Sequence, residues 1–259
     1  MSVKISWHGT ASIAIKTEKE KILIDPFIPL KGSETLVDET VYFDFKNILV
    51  THGHLDHIMS IPAIVRKSKA QVYCTQTPYN TLLQKGVDEE LLNRITPTDR
   101  LEFEDIRVVV YRGRHVEYDK KTVVNTLTSS RMVKYAKNSA LLLKENRICA
   151  ENGETVSYFI VAEDIKILVL GSLGLDPELK YPVGADLLVL PYQGTSNLVW
   201  EAMEIIKRLK PKAVFVDHFD DTFPPISNHI DTAELEEILF GIIPVTVPEA
   251  GDEYLVTTR

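Results

Sequence analysis

Two cysteines, Cys74 and Cys149, are all that 259 residues contain. That number cannot build a disulfide framework, and each lies in an apolar run where a buried free thiol is the simpler reading. No apolar stretch approaches the roughly 20 residues of a membrane span. The opening Met1-Ser2-Val3-Lys4-Ile5 enters a strand pattern at once, without the hydrophobic region of a signal peptide, so a cytoplasmic protein is expected. Basic excess is missing too: 29 Lys and Arg stand against 37 Asp and Glu, a formal charge of -8. Such a balance favours solubility and offers no footprint for nucleic acid. Neither a Gly/Ser/Pro-rich linker nor a repeat of fixed period divides the chain, so a single domain over residues 1–259 is expected. With 44% hydrophobic residues it can bury a substantial core.

Short apolar or alternating segments open the sequence, at 3–7, 11–17 and 21–25, separated by Gly9-Thr10 and by Glu18-Lys19-Glu20. They predict an antiparallel meander. A mixed stretch to Phe45 reads as loop or irregular helix, and Asn47 to Thr51 as a strand covered on both faces. Ser60 is placed to cap a helix through about Lys67, with Pro62 in its first turn; a strand Gln71–Cys74 and a helix from Thr77-Pro78 to Gly86 follow. Further strands are expected over 101–112, 139–143, 157–162 and 166–170, with an irregular excursion between His115 and Ser139. The last third alternates strand and helix: strand 186–190, a helix from Asn197 to Leu209, strand 213–216, a helix opened by a capping box at Asp231-Thr232-Ala233-Glu234, and closing strands at 245–247 and 253–257. Both halves run from meander to alternation. This order predicts a mixed α/β architecture of two sheets, each covered on its outside by helices.

The richest chemistry lies in His52-Gly53-His54-Leu55-Asp56-His57, directly after the apolar Ile48-Leu49-Val50. Imidazole and carboxylate suit a borderline divalent ion, and a metal-free histidine cluster this dense would crowd polar rings for no structural return. On an extended segment His52 and His54, two apart, point to one side and suit one ion; Asp56 and His57, on the following turn, reach a second. Of the remaining histidines, His115 and His218 also sit just beyond apolar strands, at the edge where ligand sites gather in layered α/β folds.

These residues resemble the metallo-beta-lactamase superfamily, whose His-x-His-x-Asp-His hallmark stands here as His52, His54, Asp56 and His57. The likeness covers nearly the whole chain. It is closest to the broad metal-dependent hydrolase group that includes ascorbate-6-phosphate lactonase-like and N-acyl-phosphatidylethanolamine phospholipase D-like proteins. The opening Trp7-His8-Gly9-Thr10-Ala11, the segment Ile22-Leu23-Ile24-Asp25-Pro26 and the run Asp217-His218-Phe219-Asp220 carry that closer likeness. The resemblance implies an α/β fold, a four-layer αββα sandwich of two mixed sheets covered by helices. It implies that His52, His54 and His115 hold one metal and that Asp56, His57 and His218 hold a second, most simply one or two Zn2+, with Mn2+ or Fe2+ as alternatives. Relatives assemble in several ways, so a homo-oligomer stays open.

One position departs from the pattern. Where the superfamily usually places a metal-bridging aspartate, this chain reads Leu170-Gly171-Ser172. A neutral serine is a poor ligand; the second ion is then held weakly, or Asp176 or Asp220 replaces the bridge, or chemistry is reduced. The expected reaction is hydrolysis of a small, anionic phosphodiester, phosphoester or lactone by an activated water, with Asp56 as ligand and as the group that orients or deprotonates that water. The rival expectation is a metal- or metabolite-binding protein of the same fold with weak or no turnover, favoured by Ser172. Arg112 and Arg114 beside His115 offer an anion clamp or an ordinary exposed pair. Asp25 offers a hydrogen bond to a ligating imidazole, or a plain turn cap. The two aromatics and two prolines of Phe219 to Pro225 suggest a stiff wall beside the site, and Thr195 and Ser196 a lining or an ordinary loop.

Overall fold

The opening meander forms as β1 (Val3–Trp7), β2 (Ile13–Lys16) and β3 (Lys21–Ile24) in the computed structural model, which describes residues 3–117 and 120–258. Met1, Ser2, Arg259 and two residues of the excursion after His115 lie outside the described residues. The strands pair antiparallel, with Ile5 opposite Ile15 and Ala14 opposite Leu23. Strand alternation then sorts their side chains: Ile13, Ile15, Ile22 and Ile24 join one buried cluster, Ala14 and Leu23 another.

The chain next winds through β4 (Asn47–Leu49), α1 (Leu55–Ile58), α2 (Ile61–Ser68), β5 (Gln71–Cys74), α3 (Gln76–Gln84) and β6 (Leu92–Arg94). Strands β3 to β6 are parallel neighbours, a pairing that requires the intervening crossovers. The second half repeats the plan. It comprises β7 (Arg100–Phe103), β8 (Ile106–Arg112), α4 (Lys120–Thr128), α5 (Arg131–Lys134), α6 (Ala136–Glu145), β9 (Val156–Ala162) and β10 (Ile165–Val169). It continues with β11 (Leu187–Pro191), α7 (Leu198–Leu209), β12 (Val214–Asp217), α8 (Ala233–Leu239) and β13 (Val245–Thr246), and β14 (Glu253–Val256) returns to pair with β1. Two seven-stranded mixed sheets result, ordered β14-β1-β2-β3-β4-β5-β6 and β13-β12-β11-β10-β9-β8-β7.

Burial sets the layers. Ile5, Ile15 and Ile24 of the first sheet share a core cluster with Val108, Tyr158 and Ile167 of the second, and that cluster extends to Ala202 and Ile205 of α7 and Leu235 of α8. On the other side, Leu23, Ile48 and Val72 meet Ile61, Ile64 and Leu82 of α2 and α3. This is the helix, sheet, sheet, helix sandwich that the resemblance implied. Among the described residues, no helix is long and apolar enough to cross a membrane.

Several expectations need correction. Residues 139–143 are not a strand but lie within α6, where Leu142 is buried while Leu141 and Leu143 are exposed. A short apolar run does not distinguish strand from helix by itself, and the flanking Ala, Lys and Glu are strong helix formers. The excursion after His115 is likewise helical, as α4 and α5, and β6 was not expected at all. Ser60 precedes α2 without capping it; its hydroxyl accepts from the Ile28 N–H at 2.9 Å instead. Before α8 no capping box closes, and Asp231 accepts from the Ala233 N–H.

Candidate metal centre

Strand ends of both sheets converge on one edge. The exit of β4 carries Thr51 and His52, the turn into α1 carries His54, and the single turn of α1 carries Asp56 and His57. From the second sheet, β8 leads to His115, β10 to Ser172 and β12 to His218. Two glycines make this convergence possible. A Cβ on Gly171 would stand 2.2 Å from the Val156 carbonyl oxygen and 2.8 Å from Thr51 Cβ, and one on Gly53 would stand 2.1 Å from the Ala150 oxygen. Both close approaches exclude any side chain. Asp25 and His218 adopt φ of 45° and 60°, left-handed conformations that non-glycine residues adopt at a cost.

All six expected residues fall into two sets. His52, His54 and His115 each bring one nitrogen, and Asp56, His57 and His218 each one ligand atom, to within 4.8 Å of the others in the set. The His52 ring lies 3.9 Å from that of His57, so the sets adjoin. Between them is a cavity of about 20 Å³, lined by His52, Asp56, His57, His115, Ser172 and His218 among others.

The surrounding hydrogen bonds engage the outer Nδ1 atoms of three of these rings. His57 Nδ1 donates to Asp25 Oδ2 at 2.8 Å, His52 Nδ1 lies 3.1 Å from Thr51 Oγ1, and Thr51 Oγ1 in turn donates to Asp25 Oδ2. Asp25 Oδ1 also accepts from the Thr51 N–H at 2.8 Å. One carboxylate thus orients an imidazole of each set and leaves both Nε2 lone pairs turned inward. His115 is held similarly, its Nδ1 2.7 Å from the Val116 carbonyl oxygen. Such outer partners fix tautomer and ring orientation in metal sites.

Charge differs between the sets. Burial holds His52 well below the ordinary imidazole range, pushes His54 down to about 4 and lowers His115 as well. Three neutral nitrogens are therefore ready to accept a cation without losing protons. In the other set, burial opposes ionisation of Asp56 but is outweighed by His57 and His218, which hold its carboxyl well below the carboxylate range. Burial also works against protonation of His218, yet its hydrogen bond to Asp56, 3.0 Å long, and that charge raise its pKa. A cation entering there exchanges with a proton. The donor chemistry of both sets fits a divalent ion such as zinc.

Other expected residues fall elsewhere. Asp220 is buried and engaged by threonines rather than in either set, accepting from the Thr10 N–H at 2.9 Å and from the hydroxyls of Thr35 and Thr222. Asp176 accepts from the Glu178 N–H. Neither supplies a bridge. Arg114 is exposed and pairs with Glu117, and among the described residues neither Arg112 nor Arg114 lines the small cavity. Phe219 stacks on Trp7 at 4.8 Å; Phe223 is the aromatic that walls a neighbouring cavity, and Thr195 lines that cavity too. His8 is buried against Ser6 Oγ, and His229 pairs with Glu34. Sequence reasoning missed Thr51 as the link between Asp25 and His52, although a hydroxyl immediately before the first ligand-type histidine was the available signal. It also missed Gln193 as a lining residue.

Comparison with known proteins gives the family. The beta-lactamase superfamily domain matches residues 4–218. The chain belongs to the metallo-beta-lactamase superfamily. A metal-dependent hydrolase of Pyrococcus abyssi is 30% identical over 256 residues, covering 97% of this chain and 98% of that protein. One from Thermococcus kodakarensis is 29% identical over 259 residues, with the same coverage of 97% and 98%. Among solved structures, a metallo hydrolase from Ignicoccus hospitalis superposes with a TM-score of 0.68 at 21% identity over 100% of both chains, a likeness of fold. This superfamily member is a metal-dependent hydrolase.

Asp25→Asn is expected to lower metal affinity about 10- to 100-fold, the usual cost of losing an outer-shell partner. Because the carboxylate serves an imidazole of each set, both binding phases in a chelator competition should weaken. Weakening of one phase alone would show that only His57 depends on it.

Proposed function

We propose that His52, His54 and His115 hold one divalent ion and Asp56, His57 and His218 a second, with zinc ahead of Mn2+ or Fe2+. On this reading the hydrolase works as one cytoplasmic domain over residues 1–259 on a small anionic substrate of phosphodiester, phosphoester or lactone type. The observation that carries it is the meeting of two three-residue ligand sets at one small cavity, with outer hydrogen bonds already selecting the inward nitrogens. Bound divalent ions supply Lewis acidity, activating water near neutral pH and stabilising negative charge on a developing oxyanion.

The chain's own groups do the positioning. Asp56, ionised and lining the cavity, accepts a hydrogen bond from the attacking water and orients it. Ser172 Oγ accepts from the Val116 N–H at 3.1 Å, which leaves its own proton to be donated to an oxygen in the cavity. On this reading a neutral donor takes the position for which the resemblance implies a charged bridge, and the site keeps more positive charge for an anion. Stripping the protein with a chelator and reloading it with zinc, manganese or iron tests the reading on an activated phosphodiester and a γ-lactone. Turnover should vanish on stripping and return with metal; hydrolysis that survives complete removal would overturn it.

Ser172→Asp is expected to tighten the second ion about tenfold or more, since a unit charge at close range exceeds roughly 1.4 kcal/mol even when strongly screened. Calorimetric titration of stripped protein measures this. Equal second-site affinity in both proteins would remove Ser172 from the bridging position.

A further inference from the structure

The cavity between the ligand sets, at about 20 Å³, has room for little more than a water. The body of any substrate must therefore lie next door. A second cavity of about 400 Å³ opens there, and Asp56, Gln193 and Gly194 line both spaces. Its size falls within the roughly 300–1,000 Å³ of small-molecule pockets. Leu127, Leu142, Leu143, Phe223, Ile226 and Ile230 supply its apolar walls. Among the described residues no Lys or Arg lines it, and its polar lining, Thr126, Asn146, Thr195 and Asn228 beside His54 and Asp56, carries no fixed positive charge.

We infer that this cavity is the subsite for a neutral, apolar arm of the substrate, so that the hydrolase acts on amphiphiles with an anionic head at the ligand sets and a hydrocarbon tail between α4, α6 and the segment after β12. The inference rests on the proposed reading of the head site. Gln193 marks the boundary: it lines both spaces, and its Oε1 is buried without a hydrogen-bond partner, so a polar atom of the ligand belongs at that level and carbon beyond it.

The walls are tied in place. Asn138 of the α4 to α6 excursion donates to the carbonyls of Lys31 and Pro224, each at 2.9 Å, and Arg131 donates to the Ser227 carbonyl at 3.0 Å and pairs with Asp221. The excursion is thereby fixed to the same segment that supplies Phe223, Ile226 and Ile230. Leu127 and Leu143, about half exposed, stand at the open side.

Straight-chain alkylphosphonates from methyl to octyl, titrated calorimetrically into metal-loaded and stripped protein, provide the test. Affinity should rise about fourfold per methylene until the cavity is filled. In Leu143→Gln and Leu127→Gln, which alter exposed positions without adding charge, the affinity gained per methylene should fall. Leu143→Trp should cap the rise at shorter chains. Affinity independent of chain length in native protein would overturn the inference, as would a rise that none of the three substitutions changes, because the tail would then lie elsewhere. Failure of every member to bind metal-loaded protein also overturns it. If the protein takes up no metal yet the rise persists and depends on Leu143, the subsite stands and the reading of the ligand sets falls.

Discussion

His54→Ala should purify with about one divalent ion fewer per chain than the native protein. Three neutral imidazoles are the smallest closed protein ligand set for a zinc-type ion with an open position, and two leave an ion exposed to exchange during dialysis. The loss is expected to be clean. His54 is only partly buried and sits at the start of α1 without a side-chain cap, so its removal opens no core cavity. Thermal unfolding of stripped protein should accordingly be little changed, whereas the stabilisation gained on adding metal should shrink. His229→Ala, at an exposed pair with Glu34, is the control and should leave metal content untouched. Elemental analysis after exhaustive dialysis decides the matter: native stoichiometry in His54→Ala rejects the first ligand set.

Local pattern carried much of this architecture into view. Period-two alternation in residues 3–24 marked the meander, and all-buried runs such as Leu187–Pro191 marked central strands, because a strand covered on both faces has no polar side to show. The density of His52 to His57 made the ligand sets legible for the same reason: neighbouring residues share one turn. What stayed hidden depended on contacts distant in sequence. Asp25 meets His57 across 32 residues, and the walls of the apolar cavity come from α4, α6 and the segment after β12. Leu141-Leu142-Leu143 misled because three adjacent leucines have no internal period; only packing shows Leu142 turned inward on a helix.

The scarcity of carboxylates in the two sets follows from sequence and structure together. The sequence has an acidic excess, yet Asp56 is the only carboxylate among the six residues of the two sets. With Asp25 engaged by His57 and Thr51, and Asp220 by three threonines, no further carboxylate among the described residues joins the sets. On the proposed reading, two divalent ions held there would leave the site positive and suit an anionic head, and the walls of the adjoining cavity would suit an uncharged tail.

Asp56→Asn should cost more activity than lost metal explains, by about 10²- to 10⁴-fold in kcat at saturating metal. The carboxylate contacts His218 Nε2 at 3.0 Å and lies 3.6 Å from His57 Nε2, so one oxygen belongs to the ligand set. The group also lines the cavity, where it can orient a water that His57, held through Nδ1 by Asp25, cannot. Asparagine keeps the shape and removes the charge; its amide can still offer an oxygen but no longer an anionic acceptor. The depressed pKa adds a constraint. A carboxylate held below its ordinary range stays ionised at neutral pH and so remains an acceptor for the water's hydrogen bond. The comparison is with His57→Ala, which should lose activity only in step with metal occupancy and recover as metal is raised. Asp56→Asn should stay slow after both ions are shown to be present. Native turnover in the fully loaded Asp56→Asn protein would reduce Asp56 to a ligand and leave water positioning to another group, of which the Ser172 hydroxyl is the nearest candidate by its place in the same cavity.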